Sequence, residues 1–441
     1  MATPARDKVD VDTTSSLTSN GIQHTLSETA PSLIKSANTS TIITDTLTPQ
    51  NGTTKAPLPQ LDASLLRTTL NPTPRPVPLP HSPELASQTI CTDHMITVSW
   101  TALNGWAAPS LQPFGPLSLM PTASCLNYAT QCFEGMKLYR GHDGKLRLFR
   151  PQLNCNRMLM STTRIALPAF PPDELLKLIA KLCATDGDKW LPKDRPGTFL
   201  YIRPSMIASD PSLGVQRPKE ALLYVVLTCS ALAAKNLVGG MRLLASKDDM
   251  CRAWPGGFGY AKVGANYGPS LVAQGEAITL GYHQILWLFG EDCTVTEAGA
   301  SNFFVVWRTR EGTLQLVTAG LEARIVLDGV TRRSILELAR EKLTSGHGGN
   351  LEAVEVVERT FGMVELEEAA SEGRLVEAFA AGTAWFVTPV GCIHFRGKDI
   401  EVPMVGAGAG RYTAVLKGWL RGIMWGCDGW EGHEWGYVVG K

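Results

Sequence analysis

Two hydrophobic spacings organise this chain from about Cys91 onward, one repeating every second residue and one following helical turns. Apolar and polar positions alternate over Met136 to Arg150 and break at Gly141-His142-Asp143-Gly144, which predicts a β-hairpin. Pro151 then opens a helix carrying Arg157, with Pro168 just past its end. A second helix starts at Pro172, where Leu175, Ile179, Leu182 and Cys183 form one core-facing stripe. The run Thr198 to Ile207 reads as a strand whose period of two puts Tyr201 and Arg203 on the same face. Ala221 to Thr228 is apolar enough for a central strand. Farther along, Ile285 to Phe289, Phe303 to Trp307 and Trp385 to Pro389 read as strands, and Gly329-Val330-Thr331 opens a helix running through Ile335, Leu336, Leu338 and Ala339. No internal repeat is visible.

Before Cys91 both patterns vanish. The first fifty residues contain 18 Ser/Thr, and no Phe, Trp or Tyr occurs before Trp100. Such a composition buries too little apolar surface to offset the entropy of ordering, so residues 1–88 are expected to be a disordered Ser/Thr/Pro-rich extension. Its end, with Pro72, Pro74, Pro76, Pro78, Pro80 and Pro83, is expected to be an extended linker. The remainder divides into a small α/β domain over 89–230, a small-residue linker over 231–241 ending in Gly239-Gly240, and a larger domain over 242–441.

Composition narrows the functional classes. The formal net charge of this 441-residue chain is zero and 44% of it is apolar. Balanced charge offers no footprint for nucleic acid and no polybasic patch for a membrane, so small molecules are the expected ligands. Ten scattered cysteines, without C-x-x-C or a Cys/His cluster at ligand spacing, suit reduced thiols of an intracellular protein and no metal. No apolar run approaches the roughly 20 residues of a membrane span. The N-terminal acids Asp7, Asp10, Asp12, Glu28 and Asp45 disfavour a transit peptide. A cytoplasmic location is expected, with mitochondria as the alternative.

The candidate chemistry centres on Cys251 to Ser270, CRAWPGGFGYAKVGANYGPS. Lys262 stands there among Gly256, Gly257, Gly259, Gly264 and Gly268, which allow positive φ and a close approach of backbone to ligand. A primary amine in such a loop can serve as a carbonyl nucleophile. The start of the helix at Val330 and Thr331 offers free N–H groups and the positive end of a helix dipole, suited to a phosphate.

With these segments in place, the chain from about Cys91 onward resembles the branched-chain amino-acid aminotransferases of the pyridoxal-phosphate fold-type IV class. The resemblance rests on motifs in one order: LNYATQCFEGMKLYRG (126–141), LFRPQLNCNRML (148–159), LYIRP (200–204), PSLGV (211–215), RAWPGGFGYAKVGANYGP (252–269), QILWLFG (284–290), TEAGASNFF (296–304), VLDGVTRRSIL (326–336) and GTAWFVTPV (382–390). It implies two α/β domains with pyridoxal 5'-phosphate in the cleft between them, and a homodimer. Lys262 matches the lysine that holds the cofactor and moves the substrate's proton. Glu297 matches the carboxylate beside the pyridine nitrogen, where an acid keeps the ring an electron sink. Tyr267 matches the tyrosine on the cofactor's phenolic oxygen. Phosphate binding would fall to Arg157, the amides of Val330 and Thr331, and Thr383. Substrate carboxylates would meet Tyr201, Arg203 and the Thr383 and Ala384 amides, while Tyr128, Phe133 and Tyr201 line the side-chain pocket.

The activity so implied is transfer of the amino group of leucine, isoleucine or valine to 2-oxoglutarate. Two departures bear on substrate choice: Ala300 stands where many relatives carry Thr, and Ser230 to Ala234 replaces an aromatic inter-domain loop. Trp385 and Thr388 occupy the places of a C-x-x-C found in some relatives, so no thiol switch is expected there. The alternatives are a D-amino-acid or ω-aminotransferase, an aminodeoxychorismate lyase, a specialised aminotransferase, or an inactive scaffold of the same fold.

Overall fold

The chain builds its first sheet from alternating strands whose buried face is covered by two helices. A computed structural model describes residues 57–79, 82–87, 89–229, 237–344, 351–405 and 408–440. The expectations for residues 1–56 and for the linker and loop over 230–236 therefore lie outside the described residues. In chain order come β1 (Arg67–Thr68), α1 (Pro83–Ala86), β2 (Cys91–Thr101), β3 (Gly105–Trp106), β4 (Ser110–Pro113), α2 (Ser124–Tyr128), β5 (Gln131–Phe133), β6 (Met136–Arg140), β7 (Leu146–Phe149), α3 (Pro151–Arg164), α4 (Pro172–Trp190), β8 (Phe199–Ala208) and β9 (Glu220–Cys229). The β6–β7 hairpin, both Pro-initiated helices and a central β9 between β2 and β8 agree with the sequence pattern. Leu175, Leu178, Ile179 and Leu182 of α4 are fully buried against Leu138, Leu200, Ile202 and Leu223 of the sheet. Burying each such side chain contributes about 2 kcal/mol.

The opposite face of β8 and β6 carries Phe199, Tyr201 and Arg203 together with Lys137, which pairs directly with Tyr201 across the strands. That face meets the second half of the chain. There follow β10 (Met241–Ala245), α5 (Ser270–Thr279), β11 (Gln284–Phe289), β12 (Thr294–Ala298), β13 (Ser301–Arg308), β14 (Leu314–Thr318), α6 (Val330–Lys342), β15 (Glu355–Glu358), α7 (Met363–Ser371), β16 (Leu375–Gly382), β17 (Phe386–Phe395), β18 (Lys398–Glu401), α8 (Arg411–Trp425) and β19 (Gly436–Val438). Strands β12, β11, β10, β17, β16 and β13 pair in that order, and β12 also pairs with β13, which closes them into a barrel. Closure explains why β13 is apolar without alternation. Phe303, Val305 and Trp307 pack with the core that includes Leu243, Leu286 and Ile393, while Phe304 and Val306 pack with residues of α6 and α8.

Two boundaries differ from the sequence reading. The folded body already includes residues from Pro57 onward, ahead of Cys91, and these form one compact unit. Leu61 is 1% exposed in the core of the first sheet, and β1 pairs in parallel with β4. The proline segment is held by polar contacts that hydrophobic patterning does not register. The Arg75 guanidinium donates to the carbonyls of Cys91 and Thr92, and its backbone N–H donates to Asp93 at 2.7 Å. The Asn71 N–H donates to Nε2 of His94, whose Nδ1 lies 2.5 Å from Asp186. Nε2 must be unprotonated to accept that bond, so the neutral tautomer carrying its hydrogen on Nδ1 fits both contacts.

The second boundary is at the C-terminus. Residues 242–441 were expected to stay in the larger domain, but β19 pairs antiparallel with β7 and so joins the first sheet. Arg150 fixes this return by stacking on Trp435 at 4.1 Å and pairing with Glu337 of α6 at 2.7 Å.

Candidate active site

Lys262 is positioned by its backbone before its side chain does anything. Its N–H donates to Ser161 Oγ at 2.9 Å, and that hydroxyl donates to the Arg157 carbonyl at 2.9 Å. Its carbonyl accepts from the Phe133 N–H at 3.1 Å, and Val263 forms a bridge with Cys132. Helix α3 and strand β5 thus clamp the loop from two sides. Of the five surrounding glycines only Gly256 takes a positive φ. Gly259 is required for another reason, because a Cβ there would overlap Ala253. Buried Asn266 ties the loop internally, donating to the carbonyls of Phe258 and Ala261.

The Lys262 amine donates to the Tyr267 hydroxyl oxygen at 3.0 Å and sits 5.0 Å from the centre of the Phe133 ring. Phe133 and Tyr267 lie ring to ring at 5.1 Å. The Arg203 guanidinium covers Phe133 at 4.6 Å and donates to the Tyr201 hydroxyl at 3.2 Å, as the shared strand face predicts. Tyr201 reaches so close to Gly135 that any Cβ there would overlap its hydroxyl. Lys262, Tyr267, Phe133, Tyr201 and Arg203 therefore form one connected wall.

Glu297 lies on β12 and is 2% exposed. It forms an ion pair with Arg252 and accepts from the Leu327 N–H at 3.0 Å, with Asn302 bridging it to the Leu327 carbonyl. Burial pushes the Glu297 carboxyl up, opposed by Arg252, the Leu327 amide, Lys262 and Arg157. Arg252 is a partner that sequence reading missed: it begins the lysine-containing motif but lies 45 positions from Glu297 in the chain, beyond any local spacing rule.

Arg157 is more constrained than its assignment to phosphate suggested. Nε and Nη2 grip Glu134 at 2.6 and 2.8 Å, while Nη1 donates to the Asp328 carbonyl at 2.9 Å. Glu134 is fully buried and also accepts from Asn154 and from the Gly135 N–H. Burial acts to raise the Glu134 carboxyl, but the charge and hydrogen bonds of Arg157, with the charge of Lys262, hold it below the usual carboxylate range. Arg157 still has unused N–H groups on Nη1 and Nη2. The start of α6 lies immediately beyond Asp328. Its N-cap, Gly329, offers no side-chain bond, and Val330 and Thr331 are nearly buried there. Thr383 donates to the Gly135 carbonyl at 3.4 Å and joins the same region, with Ala384 exposed beside it. Tyr128 is placed apart. It is 41% exposed at the end of α2, and its hydroxyl donates to the Leu213 carbonyl, with no contact to the Lys262 wall.

The donor types present along these elements suit a pyridoxal phosphate. An uncapped helix start beside Arg157 suits a phosphate, Glu297 suits a ring nitrogen, and the Lys262–Tyr267 pair suits an aldehyde and its neighbouring hydroxyl. Buried Nη1 of Arg252 and Nε of Arg203 have no partner within the described protein, which marks this wall as built for a further polar group.

A closed barrel beside a mixed sheet, with a lysine loop clamped by helix α3 and strand β5, defines a fold-type IV aminotransferase. Solved structures share that fold: the branched-chain aminotransferase of Thermoproteus uzoniensis with norvaline aligns at TM-score 0.60 and 23% identity, covering 78% of this chain and 99% of its own. The Thermobaculum terrenum enzyme in its PLP form aligns at TM-score 0.59 and 23% identity, covering 78% and 98%. Residues 131–393 match the model of amino-transferase class IV, and the chain belongs to that family. Among named relatives, the mitochondrial branched-chain-amino-acid aminotransferase of Schizosaccharomyces pombe is 41% identical over 79% of this chain and 80% of its own. The cytosolic Saccharomyces cerevisiae protein of that name is 41% identical over 87% and 98%.

Proposed function

We propose that this chain is a pyridoxal-phosphate-dependent aminotransferase that moves the amino group of leucine, isoleucine or valine to 2-oxoglutarate in an intracellular compartment. The observation that carries it is the single wall joining Lys262 and Tyr267 to aromatic Phe133 and Tyr201, with one cation, Arg203, at its edge. Aromatic faces accept an aliphatic side chain, while the guanidinium accepts the distal carboxylate of glutamate or 2-oxoglutarate. One site thereby serves both substrates. The names of the relatives at 41% identity support the same assignment.

When bound, pyridoxal phosphate supplies an electron-withdrawing ring that acidifies the substrate's Cα–H. The residues supply the rest. Lys262 Nζ takes the Cα proton as general base, oriented by Tyr267. Glu297, held by Arg252 and the Leu327 amide, would present its buried carboxylate to the ring nitrogen. Arg157 and the first amides of α6 would hold the phosphate, and Phe133 and Tyr201 would exclude water from the aliphatic side chain. The reading is tested by incubating the purified, cofactor-loaded protein with 2-oxoglutarate and a panel of L- and D-amino acids. Glutamate should form with L-leucine, L-isoleucine and L-valine; turnover confined to D-donors would move the assignment to a D-amino-acid aminotransferase.

The proposal includes a homodimer. Leu126, Tyr128, Leu213 and Val215 are exposed on one linked patch, tied by the Tyr128 to Leu213 hydrogen bond. Apolar residues grouped in this way mark a contact surface, and it explains why Tyr128 stands outside its own chain's wall. Sedimentation should show a two-chain particle that Val215→Asp converts to monomer; a monomeric wild type contradicts this part.

A further inference from the structure

We propose that Cys392, His394, Asp399 and Glu401, on the outer face of the β17–β18 hairpin, form a binding site for a thiophilic divalent cation, zinc above all. The site lies toward the far end of β17 from the 383–385 turn, and it stands independently of the transamination reading above.

Strand pairing assembles the donors. Cys392 lies directly across from Glu401, and His394 directly across from Asp399. Side chains two residues apart share a face, and directly opposed ones stand about 5 Å apart, so the four donors mark the corners of one small patch. The residues between them take the other face: Ile393, Phe395, Ile400 and Val402 pack with the barrel core. The donors also converge. Sγ of Cys392 and a carboxylate oxygen from each of Asp399 and Glu401 all lie within 4.8 Å of one another. His394 joins through Nδ1, 2.5 Å from Asp399, and its ring lies against Tyr282 at 5.4 Å between centres. Along the chain only the pair Cys392-x-His394 is visible, which is why the sequence led to an expectation of no metal. The hairpin brings the two acids.

Donor chemistry selects the ion. A thiolate, an imidazole and two carboxylates suit tetrahedral zinc, whereas magnesium and calcium take oxygen donors. Without a cation the acids oppose ionisation of the thiol: burial first, then Asp399 and Glu401, push Cys392 up to about 11, and the thiol donates to Asp399. A divalent cation reverses that relation. It takes the place of the thiol proton, which leaves to solvent, and of the hydrogen bond between His394 and Asp399. His394 then ligates through Nδ1 and carries its hydrogen on Nε2. Zinc with three anionic ligands bears one net negative charge. The Arg242 guanidinium, 3.6 Å from Asp399 and stacked over Tyr282, stands where it offsets that charge, while Glu401 has no ion-pair partner among the described residues. Cys392 is 4% exposed and Glu401 is exposed, so sulfur holds the ion from below and the carboxylates open it to solvent.

The test uses untagged, cofactor-loaded protein with cobalt(II) and zinc as probes. Cobalt should bind at one equivalent per chain and give the intense visible bands of a tetrahedral thiolate site, at the red end where the cofactor does not absorb. Zinc should displace it. Cys392→Ser should weaken zinc binding by about a hundredfold or more, beyond what loss of an outer contact costs. Glu401→Gln changes an exposed side chain and leaves the fold intact, and it should weaken zinc by about tenfold or more. Zinc should raise the unfolding temperature of wild type and leave that of Cys392→Ser unmoved. Glutamate formation from leucine should be unchanged in both variants, since neither residue touches the Lys262 wall. Failure of wild type to bind either ion at micromolar concentration, a weak octahedral cobalt spectrum, or unchanged zinc affinity in Cys392→Ser overturns the proposal. If wild type makes no glutamate from any donor, the transamination reading falls and the metal titration still decides this site.

Discussion

Replacing Lys262 by alanine is expected to reduce glutamate formation by about 10,000-fold or more, because the same amine must attach the cofactor and carry the Cα proton. The fold should survive. Both backbone bonds of Lys262, to Ser161 Oγ and from the Phe133 N–H, persist in alanine, and the side chain's own hydrogen bond goes only to Tyr267. Thermal unfolding of the variant should stay within a few degrees of wild type, while steady-state turnover disappears. Added methylamine should recover part of the rate, since it supplies a free base to the space vacated. A Lys262→Ala variant that turned over leucine at an undiminished rate would sink the assignment.

The second large effect concerns stability. Arg157→Met should destabilise the protein by about 3–5 kcal/mol, the usual cost of leaving a buried charge without its partner, measured by urea unfolding near neutral pH. Glu134 is fully buried, and two of its hydrogen bonds come from Arg157. The pH dependence follows in sign. In wild type the Glu134 carboxyl is held below its ordinary value, so its stabilisation is present above the normal carboxylate range and is lost as pH falls through the depressed folded value. In Arg157→Met burial acts without that opposition and raises the carboxyl. The variant should therefore gain stability relative to wild type as pH falls toward 5. Adding Glu134→Gln should recover much of the loss, which shows that the uncompensated charge, and not lost packing of Arg157, sets the cost. A loss unchanged by Glu134→Gln contradicts this account.

Much of this site was legible because its parts are local. A period of two was enough to put Tyr201 and Arg203 together, and their hydrogen bond confirms it. Proline marked the starts of α3 and α4, and the apolar stripe marked the buried face of α4. The partners of the charged groups were not legible. Glu134 and Arg157 come from a strand-connecting residue and a helix, Arg252 and Glu297 from a loop and a barrel strand, and neither pair has a spacing that local rules recognise. The segment 57–79 was misread for a related reason: one buried leucine and a few hydrogen bonds to Arg75 and Asp93 hold it down, and neither produces periodicity.

By itself, then, the sequence determined the succession of helices and strands, the glycine-rich loop with its lysine, and which residue types are available to that loop. Those are properties of backbone preference and of side-chain spacing within one element. Only the tertiary structure decided that β12 meets β13 to close a barrel, that β19 returns to the first sheet, and that Arg157 is shared with a buried glutamate. Each depends on which distant segments come within a few ångströms, and at that range desolvation and charge pairing outweigh local propensity.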